Sequence, residues 1–530
     1  MITTIRFILG FFLIFSLLAC NFRVVRDPSV LVEHLDADPS TLNPIIATDA
    51  MASTVLRNVY ESLLDRDNET LELKPKLASS WTVSPDHLTY TFSIRDGVHW
   101  HDGMPFTVDD VIYSFERIRD PKVDAASLRS YFKDVTSVKK IDDKTIRFTY
   151  RRPYFKALEI CGAIPIIPKH IFDNGEDFNA HPANRKPVGT GPYIFKSWET
   201  GRTITLEQNL DYWDKKPRIT QFVFKIIPNM TVVFQLLKKG ALDLASLRPI
   251  QWERQTETPS FEKRFDKYRY WVPNYSYIGW NLRKPFFQDR RVRMALTMML
   301  DRETILKKLF FDQGEVVTGN FYRFGNNYDE SIKPYSYDPE TARRLLDEAG
   351  WIDHDGDGIR DKDGVPFSFI YIVPAGSRAG QNIGLILREN LLRAGIEMEV
   401  RSLEWAAMLK FITSREFDAV MLAWYTSIDE DPYQLWHSSQ ATEGSNFIGF
   451  QNSEADRLIE AGRVEFDPKK RSVIYKKLHR LIHEEEPYTF LFISPSLVAV
   501  AKRFIDVKQY KLGLDITEWG IKPWDTLMEW

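Results

Sequence analysis

Leu77-Ala-Ser-Ser-Trp81, Ser84-Pro85-Asp86, Tyr90-Thr-Phe92, Arg95-Asp-Gly-Val98, His101-Asp-Gly103, Pro105-Phe106-Thr107 and Asp109-Asp-Val111 follow one another in a single run. Leu88, Tyr90, Phe92 and Ile94 alternate with Thr89, Thr91 and Ser93, the period-two pattern of a half-buried strand. Asp96-Gly97 and Asp102-Gly103 punctuate it as turns, because glycine accepts positive φ at low cost. Thr107 with Asp110 three residues on makes an approximate capping box that starts a helix through Val111, Phe115 and Ile118.

Working outward, Val30-Leu-Val32 opens a strand, and Ser53 is placed to cap a helix through Leu56, Val59, Tyr60 and Leu63. Ile146–Tyr150 predicts a strand, and Ile164-Pro-Ile-Ile-Pro168 an extended segment limited by its prolines. Phe222–Ile227, a helix over 231–239 ended by Gly240, and Leu242-Asp-Leu244 form a strand-helix-strand unit, the arrangement that gives parallel sheets. A second such unit runs from Phe367–Val373 through a helix ending at Gly395 to Ile396–Val400 and on to Phe417–Trp424. Helices are expected over 288–311, from Asp338-Pro339 to Gly350, and from Ser453 and Asp467-Pro468. Phe490–Val500 is expected to form paired strands.

The spacing of Trp81, the two Asp-Gly turns and the Pro-Phe-Thr cap closely resembles the signature of the peptide and nickel class of bacterial solute-binding proteins, the extracellular receptors of ABC import systems. Two further blocks are similar to that family: Gly189-Thr-Gly-Pro-Tyr193 with Phe195, Trp198, Asn209 and Tyr212-Trp213, and Gly279-Trp280-Asn281 with Pro285-Phe286 and Asp289–Arg293. The resemblance implies an α/β, two-lobed fold of the periplasmic-binding-protein type II, with an additional inserted domain. Its implied division is a signal peptide at 1–19; a discontinuous domain I of 20–60, 188–278 and 495–530; a domain II of 61–187; and a domain III of 279–494.

Compartment follows from the first residues. Arg6 precedes an apolar run from Phe7 to Leu18, ending in Leu17-Leu18-Ala19-Cys20. The run is too short for a span of about 20 residues. It resembles a lipoprotein signal with Cys20 as the lipidated residue, which places the protein in the cell envelope, held to the membrane and facing the periplasm or exterior. Several acyl chains anchor far more firmly than one. Cys161 is then the one thiol left, so no intramolecular disulfide is available and the core must carry the fold. A chain of 530 residues exceeds one hydrophobic core. A formal charge of −3 without long basic tracts argues against nucleic acid as partner.

The resemblance implies an oligopeptide ligand enclosed between lobes, partner permease subunits with a separate ATPase, and action as a monomer. In peptide-binding relatives a carboxylate after a tryptophan pairs with the ligand's ammonium. Here that segment is Ala423–Tyr433, with Asp429 the candidate anchor and Ser427 its competitor, because the spacing from Trp424 to Pro432 is one residue longer than common. Asp431, before Pro432, suits a helix cap. Trp424 is placed to stack on ligand; Asn446, Ala50 and Met51 match contact positions in relatives, and Tyr275 and Tyr277 lie near the hinge. Nickel chelate, haem, opine and oligosaccharide ligands share the framework and stay open.

Asp353, Asp355, Asp357 and Asp361 alternate as in a calcium loop, although position twelve of that frame is Gly364 rather than the bidentate glutamate such loops use. The chain is read as needing no cofactor, with calcium at this loop as the alternative. Gly-x-Ser-x-Gly, Cys-x-x-Cys, phosphate-loop and Gly-x-Gly-x-x-Gly motifs are absent, and His483-Glu484 lacks a second histidine four residues on. A receptor, not an enzyme, is the expectation, with an envelope hydrolase as the alternative from another class.

Overall fold

A computed structural model describes residues 27–523 apart from Glu443. The signal peptide and Cys20 lie outside the described residues, among which no helix is long and apolar enough to cross a membrane.

Three sheets organise the molecule. A seven-stranded sheet runs in the order Phe265–Tyr270, Ser496–Ala501, Leu244–Ser246, Val30–Leu35, Gln221–Ile226, Thr203–Gln208, Tyr193–Glu199. Val30–Leu35 is parallel to both Gln221–Ile226 and Leu244–Ser246, so the first strand-helix-strand unit straddles the N-terminal strand. The helix Met230–Lys238 connects them, capped by Asn229, whose side chain accepts from the amides of Thr231 and Val232.

A five-stranded sheet has the order Glu397–Leu403, Ser368–Pro374, Ala419–Tyr425, Asn274–Trp280, Tyr488–Phe490. Its first three strands are parallel, as the second unit requires. Phe369, Tyr371 and Val373 enter one core while Ile372 enters another, and Ala419 and Met421 likewise separate from Val420. Both faces are therefore buried, which is why these strands are continuously apolar and need helices on each side.

The quoted opening stretch builds a four-stranded antiparallel sheet, Ala78–Val83, Thr89–Ile94, Thr145–Tyr150, Val135–Asp142. Its helix Val108–Arg119 starts with the Thr107 and Asp110 capping box. Buried residues from Leu31 to Phe265 and from Leu497 to Trp519 pack as one cluster, so this sheet shares a core with the seven-stranded one.

Two segments cross between the large sheets, residues 271–273 and 494–495. They are tied together, since the Asn274 side chain donates to the Ser494 carbonyl at 2.9 Å and accepts from its amide at 3.2 Å.

Two expectations are corrected. The early helix is Ala50–Leu56 and is capped by Asp49, not Ser53; the aspartate also accepts from the amide and hydroxyl of Ser40, so its carboxylate fixes the incoming loop as well. The strands expected to pair within Phe490–Val500 do not pair with one another: Tyr488–Phe490, Phe492–Ile493 and Ser496–Ala501 join four other strands, the last of them two, because the chain is crossing between sheets.

Candidate functional site

The parallel strands Ser368–Pro374, Glu397–Leu403 and Ala419–Tyr425 bring their carboxyl ends to one edge, the edge at which open α/β sheets take ligands. The last strand runs directly into the segment Thr426–Pro432. That segment is fastened at its start by the Thr426 amide donating to the Pro273 carbonyl of the crossing segment.

Lys156, the residue before the helix Ala157–Gly162, donates to the Ser427 hydroxyl at 2.8 Å and to the Asp429 carbonyl at 2.9 Å. The Asp429 carboxylate pairs with Arg471 at 2.5 Å and accepts from Asn327 at 3.2 Å. Its side chain remains 42% exposed. Asp431 is buried, accepts from the Tyr154 hydroxyl at 2.7 Å and pairs with Arg463 at 3.0 Å. Its other oxygen accepts from the Tyr433 amide, while Pro432 occupies the N-cap position of the short helix Tyr433–Trp436. The Arg463 guanidinium also lies 4.4 Å from the centres of the Tyr154 and Tyr433 rings, and that of Arg471 4.0 Å from Phe155. Two arginines and the Tyr154-Phe155-Lys156 turn thus clamp the segment where the sequence places an anchor.

Trp424 is sandwiched nearly parallel between Tyr277 at 6.4 Å and Phe447 at 6.0 Å. Tyr275 and Tyr277 are buried in the same aromatic stack, with Tyr277 lying 3.9 Å from Tyr488. Burial holds both phenols well above the ordinary tyrosine value. Asn446 is fully buried and both ends of its amide are used, donating to the Phe450 carbonyl of its own turn and the His437 carbonyl nine residues back, and accepting from the Phe450 amide. The side chain therefore serves the loop. Ala50 and Met51 are the first two residues of the helix capped by Asp49, Ala50 exposed and Met51 half-buried against the core. They stand apart from the 424–432 segment in the chain's other large sheet layer.

Two aromatics escaped the sequence reading. Tyr425, the last residue of its strand, is 75% exposed, and Trp405, the first residue of the helix after Glu397–Leu403, is 48% exposed. Both sit at the carboxyl edge. The signal available was position: an aromatic at a parallel-strand terminus need not be core.

The acidic loop gathers Asp353, Asp355 and Asp361 with ligand atoms within 4.8 Å of one another, leaving Asp357 outside the group. Their oxygens are used locally: Asp353 accepts from the Gly356 and Gly358 amides, and Asp361 from the His354 amide.

A cavity of about 730 Å³ lies elsewhere, lined among others by Arg57, Glu61, Lys76, Tyr212 and Asp515. Glu61 there accepts from Thr190, Tyr212 and Trp213 and pairs with Lys76, a satisfied network within which three residues of the Gly189–Trp213 block meet one carboxylate.

Comparison with known proteins matches this geometry to a family. The model of bacterial extracellular solute-binding proteins, family 5 Middle, matches residues 72–446. The chain is 32% identical to the oligopeptide-binding protein AppA of Bacillus subtilis (strain 168), over 92% of its own length and 90% of that protein. It is 28% identical to the dipeptide-binding protein of Escherichia coli (strain K12), over 93% and 94%. The structure of B. subtilis AppA in complex with a nonapeptide superposes with a TM-score of 0.87 at 30% identity, covering 93% of this chain and 99% of that one. NikZ from Campylobacter jejuni in complex with Ni(L-His) gives 0.82 at 26%, covering 93% and 100%. The α/β, two-lobed fold expected from the sequence is thereby borne out, and the chain belongs to family 5 of the bacterial extracellular solute-binding proteins.

Proposed function

We propose that this protein captures oligopeptides between its lobes and delivers them to a membrane permease driven by a separate ATPase, acting as a monomer tethered to the envelope through lipid on Cys20. The observation that carries the reading is the carboxyl edge of the five-stranded sheet, where Tyr425 and Trp405 are exposed and the chain runs on from Tyr425 into the acidic 429–431 segment. Relatives named as oligopeptide- and dipeptide-binding proteins support it. Extended peptides suit such an edge because their main-chain amides pair with backbone and every sequence offers them. Trp424, Ser427 and Asp429 form the wall on this side, with Ala50 and Met51 opposite in the proposed three-domain division. Closure is favoured by contacts made in the closed state, as any ligand-driven shift requires. The reading invokes neither catalysis nor a cofactor.

The test is to express residues 21–530, purify the protein, and analyse denaturing extracts by mass spectrometry for carried-over ligand. A ladder of mixed short peptides is the expected result. A single metal chelate, haem or sugar would overturn the peptide reading while leaving a receptor.

A further inference from the structure

The acids in the segment that leaves the strand Ala419–Tyr425 are matched from within the chain. Asp429 pairs with Arg471 at 2.5 Å through one oxygen and accepts from Asn327 at the other. Asp431 pairs with Arg463 at 3.0 Å, and its two oxygens also accept from the Tyr154 hydroxyl and the Tyr433 amide. Arg463 and Arg471 are 6% and 4% exposed, so both guanidiniums are fixed by packing.

The uncharged acceptors of the segment are matched as well, by a lysine from another part of the chain. Lys156 is 7% exposed, and lysine is seldom buried so far unless its charge and donors are satisfied. Its ammonium has three N–H donors and meets three acceptors: the Ser427 hydroxyl at 2.8 Å, the Asp429 carbonyl at 2.9 Å and the Glu159 carboxylate at 3.3 Å. Glu159 also has Arg66 at 3.0 Å. The Ser427 and Asp429 oxygens are therefore what draws Lys156 across to the segment.

Arg66, Lys156, Arg463 and Arg471 together stand against Asp429, Asp431 and Glu159. Burial raises the carboxyl of the remaining acid, Glu430, well above its ordinary value and so toward its neutral form. A further cation brought to this segment meets like charge. The lysine contact also joins two cores: Ala157 belongs to that of the seven- and four-stranded sheets, while Trp424 packs on the core behind the five-stranded sheet. An ammonium bound to the Ser427 hydroxyl and Asp429 carbonyl would displace Lys156 and break that contact. Closing over a charged N-terminus is thus opposed, and closing over a neutral one is not.

We infer that Lys156 fills the place in the 424–432 segment that a ligand's terminal ammonium would take, so that peptides with a blocked N-terminus, N-acylated ones among them, belong to this receptor's ligand class. This rests on reading the chain as a peptide receptor. The ligand is held by its main chain, and a free terminus is neither required nor selected.

The experiment offers ligand-free protein, prepared by unfolding and refolding, an equal mixture of two peptide pools. One is a mixed-sequence pool with free N-termini and the other is the same pool acetylated; mass spectrometry reads what is retained. Wild type is expected to retain acetylated peptides as fully as free ones. A preference for free termini approaching the roughly tenfold worth of one charge-assisted bond would overturn the inference. In Lys156→Ala the two oxygens are released to the ligand, and free termini should win by about tenfold. Indifference in Lys156→Ala, as in wild type, would overturn the assignment of that place to Lys156. Should the variant fail to fold, the wild-type ratio still decides. If wild type retains no peptide, the peptide reading fails by itself, and thermal shift with methylammonium decides Lys156. Stabilisation of Lys156→Ala but not of wild type supports the assignment; the same response in both sinks it.

Discussion

The Tyr154 hydroxyl donates a 2.7 Å hydrogen bond to Oδ2 of Asp431 across a sequence separation of 277 residues, and the same carboxylate pairs with Arg463. The contact joins the chain leaving the four-stranded sheet at Tyr150 to the segment that leaves the five-stranded sheet. Removing the acid strands a buried guanidinium, which is costlier than losing the pair itself. Asp431→Ala is expected to lower stability by about 3–5 kcal/mol, and Tyr154→Phe by about 1.5–3 kcal/mol, since the lost bond is to a charged group. Urea unfolding reads both; an Asp431→Ala protein as stable as wild type would remove the contact from the list of interactions that hold the lobes.

The Gly189-Thr-Gly191 block is where the chain returns to its first sheet. A Cβ on Gly189 would fall 1.8 Å from the Val59 carbonyl oxygen, and one on Gly191 2.7 Å from it. The obstruction is backbone, held by the Gly191 amide donating to that carbonyl, so it cannot rotate away. Gly189→Ala should cost at least the roughly 3 kcal/mol at the upper end of usual overpacking and reduce soluble yield. Gly97→Ala, at φ +73° with open space around it, should cost about 1 kcal/mol. Comparable midpoints for the two variants would contradict the steric argument.

Much of this was legible from local chemistry. The Thr107 and Asp110 box, the Asp338 and Asp467 caps before proline, and the glycines at 240, 350 and 395 all act within a few residues, so sequence exposes them. Ser53 and Asp49 both suit the first helix cap, and the choice is made by Ser40, nine residues before Asp49. The partners of Phe490–Val500 are hidden for a similar reason: β patterning shows a strand but not its partner. At the site, sequence located the segment but could not distribute its charges. That Arg471 takes Asp429 and Arg463 takes Asp431 depends on two helices brought in from 453–463 and 468–485.

Three histidines are kept neutral by burial. His479 and His483 are pushed down to about 3 and about 4, and His101 to about 4, desolvation being the main cause in each. In His479, Nδ1 accepts from the Asp329 amide, leaving Nε2 to donate to Thr318. A depressed histidine value means the unfolded chain binds the proton first. The stability they contribute is present above pH 6.5 and is lost as pH falls from there toward 4. Glu486, raised to about 8 by burial, acts oppositely between pH 8 and 4.5, so the variant difference is the informative quantity. At pH 5.5 protonation of the unfolded chain at position 479 alone costs about 1 kcal/mol. His479→Gln should therefore show a shallower fall in stability between pH 7 and 5 than wild type; parallel curves would exclude His479 as a contributor.

Asp429 is half-exposed while its partner Arg471 is nearly covered. Asp429→Ala leaves Arg471 with the Glu465 carbonyl and the Phe155 face. The loss is expected to be about 1 kcal/mol, discounted for solvent access to the carboxylate. Peptide affinity should fall less than tenfold, because the Asp429 carbonyl that holds Lys156 survives the substitution. A larger fall with unchanged folding would make the Asp429 side chain itself the principal ligand contact.

Tyr425 and Trp405 separate binding from folding most cleanly. Core aromatics of this chain, such as Trp280 and Trp436, are fully buried, and truncating either should cost about 3–5 kcal/mol. Tyr425, three-quarters exposed at the end of its strand, has little packing to lose, and Trp405 opens a helix with half its surface open. The carboxyl edge is where open α/β sheets take ligands, so exposed aromatics there are placed to contact one. Tyr425→Ala and Trp405→Ala should each leave the urea midpoint within about 0.5 kcal/mol of wild type. Each should weaken peptide binding several-fold through lost apolar cover and stacking, worth about 1–2 kcal/mol. Calorimetry of the two variants with the peptides recovered from wild type measures this directly. Unchanged affinity in both would place the peptide away from this edge.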